Sequence, residues 1–395
     1  MDSDLMPAVR VLVLSEFFPH AANPHAGIFV QHQLRHLQSA EVVTILAPAV
    51  RYPPLPRYTH IARTAPRAYS NQVNGAAVTF IALPYLPLLA EYYLPLLFLA
   101  KAQHLINQRR LTFDVVHAFW AYRSGWVAAK LAAQARVPLI LSVQGSDLNQ
   151  WLHERRKRGK VLYALHAARK VLVLNQALQQ QVIAAGVRRE KTCIVPQGVA
   201  LEKFAPRESR LRPELQQRWP KHFIYVSVAN HFRVKGVDVL LHALALVPTS
   251  QAVALIGEGP ETMQLQELAI SLNIASRVYF AGARAPEEIP DWLNAADAVV
   301  IPSRSEGGPA VFLEALACGK PVVATRTGMM PEVLADSTCG LMVPPEDPRA
   351  LSVAMTELPR RKWNHNAIQQ RALQYAWPEI GAQISNTYRE VVTHA

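Results

Sequence analysis

Short runs of aliphatic and β-branched residues recur along this chain. Each is closed by a glycine, a proline or a polar loop, and each is followed by a stretch with helical spacing. Ala298-Val299-Val300-Ile301 is such a run. With no polar residue on either side, it reads as a strand buried on both faces, the mark of a parallel sheet covered by helices. A first series reads as strands at 9–14, Glu41–Pro48, Ala76–Pro84, Phe113–Trp120, Pro138–Val143, 170–174 and 192–196. A second series reads as strands at Phe223–Val228, Ala252–Ile256, Arg277–Ala281, Ala298–Ile301, Pro321–Ala324 and Leu341–Val343. Helical segments fall between them, at 28–37 and 124–136 in the first series and at 236–246, 260–271, 287–295, 309–318 and 348–358 in the second. Alternation at these intervals predicts α/β architecture with doubly wound, mostly parallel sheets. The polar stretch 201–221, broken by Pro206, Pro213 and Pro220, reads as a linker. The expected division is 1–204, 205–375 and a C-terminal helical segment 376–395. That segment reads as a helix pair bent at Trp377-Pro378 and packing back on the first domain. A chain of 395 residues is long enough for two full cores.

Composition narrows the class. Half the residues are hydrophobic, so the chain is globular. Three cysteines, Cys193, Cys318 and Cys339, with no CxxC, speak against a disulfide framework and fit a reducing compartment. The start of the chain carries no signal-peptide pattern, and Asp2-Ser3-Asp4 is a DxD only in form. Residues 1–200 hold 22 Lys and Arg against 9 Asp and Glu, whereas the remainder is nearly balanced at 19 against 20. Such one-sided charge points to an anionic surface or polymer. Ile81–Ala100 is the most apolar window, but Pro84, Pro87, Glu91 and Pro95 speak against a membrane span. It reads as a helix starting near Pro95, either in the core or at a membrane interface. The run Arg155-Arg156-Lys157-Arg158-Gly159-Lys160 is a solvated helix face or a phosphate-meeting one. Arg51 to Asn74 reads as a long functional loop.

The chemistry concentrates in Ser303–Glu314. An apolar strand leads through Gly307, Gly308 and Pro309 into a helix. A glycine-bearing turn and a helix start present backbone N–H groups to an anion at the sheet's carboxyl edge. Glu306 in the turn and Glu314 in the helix invite hydroxyl groups. Phosphates and diols together describe a nucleotide sugar. The loop bearing Gly27 is a second strand–loop–helix turn, although it lacks GxGxxG. His32 and His36 stand four apart with no third ligand, so a solvated face outweighs a metal pair.

The motifs form an ordered set: Asn230-His231-Phe232-Arg233-Val234-Lys235-Gly236, Ile256-Gly257-Glu258-Gly259-Pro260, Phe280-Ala281-Gly282, Glu306–Glu314, Gly319–Ala324 and Gly328–Glu332. Gly145-Ser146-Asp147 and Pro196–Val199 add to it in the first half. The set resembles the retaining GT-B glycosyltransferases of family 4, and the segment from Asn23 to Gln33 is similar to enzymes of teichuronic acid and exopolysaccharide synthesis. The resemblance implies two Rossmann-like doubly wound domains facing across a cleft. It implies that Glu306 meets donor-sugar hydroxyls, Glu314 the ribose diol, and Lys235 and Arg233 the diphosphate. The amides of Ala310 and Val311 would cap that diphosphate, beside Gly307 and Gly308. Gly27 would approach it from the other domain, and Gly282 and Arg284 would edge the base. The family often has histidine where Gln144 stands and arginine where Asn230 stands. His117 is the candidate that might replace that histidine, making Gln144, His117, Glu306 and Lys235 the catalytic set. Pro309 removes one amide donor, and Met329 occupies a usual glycine.

The function expected is therefore transfer of a sugar from a nucleotide diphosphate donor to a lipid-linked or glycan acceptor, with retention. No metal or other cofactor is called for, and no nucleic-acid module is present. The enzyme would be cytoplasmic, peripheral on the inner face of an anionic membrane. The alternatives are a nucleotide-sugar epimerase of the same plan, or a catalytically weak nucleotide-sugar-binding scaffold, a reading Gln144 suggests.

Overall fold

The computed structural model describes residues 8–23, 25–53, 72–86 and 89–393. Most of the Arg51–Asn74 stretch, Pro87 and the Asp2–Asp4 triplet lie outside them. The chain divides into two compact units, Met1–Pro196 with Trp377–Ala395, and Gln197–Ala376. The passage falls ahead of the expected 204/205 boundary because Val199 and Phe204 are buried in the second unit's core.

The first unit carries β1 (Val9–Ser15), β2 (Ala40–Arg51), β3 (Gln72–Val73), β4 (Ala76–Pro84), β5 (Val115–Phe119), β6 (Leu139–Ser142), β7 (Lys170–Val173) and β8 (Thr192–Ile194). Their order in the sheet is β3-β4-β2-β1-β5-β6-β7-β8. All pairings are parallel except β3 with β4. The second unit carries β9 (Phe223–Val228), β10 (Gln251–Ile256), β11 (Val278–Gly282), β12 (Ala298–Ile301), β13 (Val322–Thr325) and β14 (Gly340–Val343). Their order is β11-β10-β9-β12-β13-β14, all parallel. Each sheet reverses its winding once, between β1 and β5 in the first and between β9 and β12 in the second. Loops leave such a point in opposite directions and open a crevice at the carboxyl edge.

Two helices differ from expectation. Residues Ala90–Gln108 form one helix with Pro95 inside it. Pro95 has no N–H to offer the carbonyl of Glu91 four residues back. Lys160 Nζ donates to that carbonyl instead, at 3.2 Å. The buried side of this helix, including Leu94, Phe98 and Ala102, joins the first unit's core. The chain's end is a single helix, Trp377–Thr393, with Pro378 in its first turn, where a missing N–H costs nothing. It belongs to the first unit. Gln38 N donates to Ser385 Oγ at 2.8 Å, and Lys170 pairs with Glu390 at 2.8 Å.

Candidate functional site

The loops after β9 and β12 meet at the second unit's switch point. After β9 the chain passes the exposed Asn230, whose carbonyl accepts from Phe232 N at 2.8 Å, and makes a short turn over Arg233–Lys235. Gly236 follows with φ 66°, and a Cβ there would stand 2.1 Å from Pro302 O. Only glycine lets the two loops close to this distance. The approach delivers Lys235 Nζ to Glu306 Oε1 at 2.8 Å, with the Glu306 side chain only 8% exposed. Ser303 Oγ donates to the same oxygen at 2.6 Å.

Arg304, which sequence reading passed over, holds this junction together. Its guanidinium donates to both carboxylate oxygens of Asp238 at 2.8 Å, to Glu346 at 2.6 Å and to the carbonyl of Arg233 at 2.6 Å. The hydrogen bonds to Asp238 raise its pKa above the ordinary arginine value. Gly307 and Gly308 are half-buried and lead to Pro309, the N-cap of helix Ala310–Ala317. Ala310 is exposed and Val311 partly so. Glu314 stands four residues after Ala310 and three after Val311, on the same helix face. Burial pushes its carboxyl up to about 7, against the opposing charge of Lys203. Gly282 ends β11, where its carbonyl accepts from Gly257 N at 2.9 Å. The Arg284 guanidinium lies over the Trp292 ring, 5.7 Å from its centroid.

In the first unit, Gly27 is the N-cap of helix Ile28–Arg35, with φ 62°. A Cβ there would stand 2.4 Å from Phe17 O, so the loop packs directly on the backbone after β1. Gln144 is half-buried, and its backbone N–H donates to Asp147 Oδ1 at 2.9 Å. Gly145 N and Ala121 N also donate to that carboxyl, at 2.9 and 3.1 Å. Burial pushes Asp147 up to about 6, with these N–H groups pulling the other way. The Gly145–Asp147 motif is thus a knot joining the loops after β5 and β6.

His117 does not fit the catalytic role expected of it. It lies inside β5 with no exposed surface. Its Nδ1 is 2.6 Å from Tyr388 Oη and its Nε2 2.8 Å from Ser142 Oγ. Burial lowers its pKa to about 3. Both nitrogens are engaged and the ring is neutral, so it ties the C-terminal helix to the sheet. His32 and His36 stack on Trp377, at centroid distances of 5.5 and 6.3 Å. Among the described residues, no group of three or more His, Cys, Asp or Glu is placed to hold a metal ion. Arg155, Arg156 and Arg158 begin helix Arg155–Ala167 as an exposed basic face.

The sequence matches the model of the family "Glycosyl transferases group 1" over residues 213–374 and that of the "Glycosyl transferase 4-like domain" over 26–198. D-inositol 3-phosphate glycosyltransferase 2 of Catenulispora acidiphila is 30% identical over 305 residues, covering 70% of each chain. The chain belongs to this glycosyltransferase family. The putative teichuronic acid biosynthesis glycosyltransferase TuaC of Bacillus subtilis is 26% identical over 367 residues, 88% of each chain. Among solved structures, HepE of Anabaena with UDP superposes with a TM-score of 0.73 at 22% identity, over 96% of this chain and 100% of that one. Sucrose-phosphate synthase of Thermosynechococcus elongatus does so with 0.78 at 20%, over 98% and 100%. These likenesses place the glycosyltransferase in the GT-B fold, and the two family models divide along its two compact units.

Proposed function

We propose that this glycosyltransferase moves a sugar, with retention, from a nucleotide diphosphate donor held by the second unit to a lipid-linked or polysaccharide acceptor. The observation that carries the reading is the Lys235–Glu306 pair at the switch point of the second sheet, beside the start of helix Ala310–Ala317. Breaking a sugar–phosphate bond puts negative charge on the leaving diphosphate. Lys235, Arg233 and the amides of Ala310 and Val311 are the groups to stabilise it, and their charge removes the need for a metal. Glu306, fixed by Ser303, accepts hydrogen bonds from sugar hydroxyls. Glu314 takes the ribose hydroxyls, and Gly282 and Arg284 edge the base. Donor binding turns Lys235 from Glu306 toward phosphate, freeing carboxylate lone pairs for the sugar. The acceptor hydroxyl attacks from the face the diphosphate leaves, and a donor phosphate oxygen takes its proton. No side-chain base is then required, which accords with His117 being locked in the core.

HepE, which shares the fold, was captured with UDP and with UDP-glucose, so UDP-glucose heads the donors to try. In a thermal-shift panel of nucleotide diphosphate sugars, at least one should raise the melting temperature. Glu306→Ala and Lys235→Ala should each weaken that donor by roughly tenfold, the usual worth of a hydrogen bond to a charged group. Unchanged shifts in both variants refute the assignment. Sugar appearing on an acceptor, as opposed to free epimerised sugar, separates transferase from epimerase.

The reading extends to an anionic membrane surface on the cytoplasmic side. Leu89, Tyr92 and Leu96 lie at helical spacing with 56–58% of their surface exposed, and Leu86 precedes them at 56%. The basic face of helix Arg155–Ala167 is tied to the same region through Lys160 and Glu91.

A further inference from the structure

The amino edge of the first sheet, opposite the edge at which β6 leads to Gln144, holds a cavity of about 410 Å³. That is the size of a small-molecule site. It opens where helices Trp126–Ala135 and Arg155–Ala167 end and β6 and β7 begin. Ala129, Ala132, Ala133, Val137 and Leu139 make up its apolar side. The carbonyls around them are already taken. Ala132 O accepts from Val137 N at 3.0 Å, Pro138 O from Val116 N at 3.0 Å and Leu139 O from Arg169 N at 2.8 Å. Lys191 Nζ donates to Ala168 O at 3.1 Å and to His166 O at 3.4 Å. The alanines leave room that larger side chains would fill, and the surface they leave is hydrocarbon.

Cations stand around that apolar side. Arg136, Arg169 and Lys191 line the same cavity, and the first two are exposed, so a ligand reaches them. A neighbouring cavity of about 310 Å³ shares Arg169 and Lys191 and adds Lys170 and Arg188. Five cations thus line the two cavities against two carboxylates, Glu190 and Glu390, and the local field is positive. Lys130 adds to it, with Nζ 4.2 Å from the ring centroid of the cavity-lining Tyr163. Arg136 closes helix Trp126–Ala135 with φ 55°. Glycine is the ordinary occupant of such a left-handed helix end, yet here a long cation stands at the cavity. A nucleoside would need acceptors for its O–H and N–H groups. Among the described residues, no carboxylate or amide side chain lines the larger cavity. A hydrocarbon chain ending in an anion needs none. Three cations suit a phosphate monoester, which carries nearly two charges at neutral pH, better than a carboxylate with one.

We propose that this cavity binds a free single-chain lipid phosphate. The tail lies along the alanine-lined side, and the phosphate meets Arg136, Arg169 and Lys191. The site occupies the edge of the sheet opposite Gln144 and uses none of the groups in the donor reading, so it stands or falls apart from that reading.

Isothermal titration calorimetry on the full chain with decyl phosphate, kept below its micelle concentration, reads the site. Decanol controls for the tail and inorganic phosphate for the charge, and decyl phosphate should bind roughly tenfold more tightly than either. Arg136→Gly should weaken it about fivefold or more while keeping or raising the melting temperature, because glycine suits the left-handed helix end. Ala133→Trp, at an exposed alanine that lines the cavity, should weaken it as much by filling the space. Absent decyl phosphate binding, inorganic phosphate or decanol binding as tightly, or binding unchanged in Arg136→Gly overturns the proposal. Vesicles containing dioleoyl phosphatidate separate a free chain from a bilayer headgroup. Attachment to them that falls in the same two variants would make the site a membrane contact and overturn the free-ligand proposal.

Discussion

Glu306 and Glu314 bracket one turn, yet their surroundings differ. Glu306 is answered by Lys235 and Ser303 within hydrogen-bond distance. Glu314 has burial working against its charge, which sets its carboxyl near 7. Its folded pKa lies above its ordinary value, so between about 4.5 and 7 the folded state holds a proton that the unfolded chain has released. Stability therefore falls as pH rises through that window. The ionised form, an acceptor on both oxygens, suits a ribose diol better than the acid. Donor affinity should rise as pH increases through 7, and Glu314→Gln should flatten that profile and weaken binding by roughly tenfold above pH 8. Titrating donor affinity from pH 5.5 to 8.5 in both proteins checks this, and a slope retained in the variant rejects it. His117 gives the residue-scale contrast. A histidine at the end of an apolar run in sequence proved to be a neutral core group, because its partner Tyr388 lies 271 residues away.

At the scale of elements, the loops carry the site and the strands place it. Gly236 is the pivot, since its positive φ and the nearness of Pro302 O both exclude a side chain. Gly236→Ala should cost about 2 kcal/mol and lower the melting temperature by roughly 4–8 °C, the scale expected for local backbone strain in a unit of this size. Donor affinity should fall with it, because Lys235 is displaced. Calorimetry with and without nucleotide sugar reads both, and a variant with wild-type melting would show that the loop has slack. Helix Ala90–Gln108 marks where local rules run out. A proline six residues into a helix reads as a start, but a lysine from another helix takes over the stranded carbonyl and the helix continues. Gly145-Ser146-Asp147, part of the motif set in sequence, forms a knot of backbone N–H groups on one buried carboxyl. Proximity in sequence to a switch point did not reveal which of its groups face inward.

On the scale of the whole molecule, charge and apolar surface are unevenly shared between the units. The excess of basic residues lies in the first half of the chain, together with the exposed stripe of Leu89, Tyr92 and Leu96. No helix among the described residues is long and apolar enough to cross a membrane. If the stripe and the Arg155–Arg158 face meet a membrane together, the protein should float with vesicles rich in anionic lipid at low salt. It should bind roughly a hundredfold less when Arg155, Arg156 and Arg158 are replaced by Gln, each cation near the surface being worth about 1 kcal/mol. Failure to float at any salt concentration removes the membrane from the reading. Both sheets reverse once, and each reversal is bridged by one ion pair, Lys235–Glu306 in one unit and Glu16–Arg123 in the other.

The fold was legible in the chain itself. Strands buried on both faces leave continuous apolar runs, and β9 and β12 lie where those runs are, with the same end residues. The linear motif Ser303–Glu314 placed Glu306 and Glu314 at one turn, because it is written in consecutive residues. What the chain could not display is which distant side chains meet. Lys235 and Glu306 are 71 residues apart, and Arg123 is more distant still from Glu16 in the sequence. Periodicity reports only which side of an element is dry. The meeting of two loops depends on strand order, and strand order is settled by packing the whole sheet, where the winding reverses and the crevice opens.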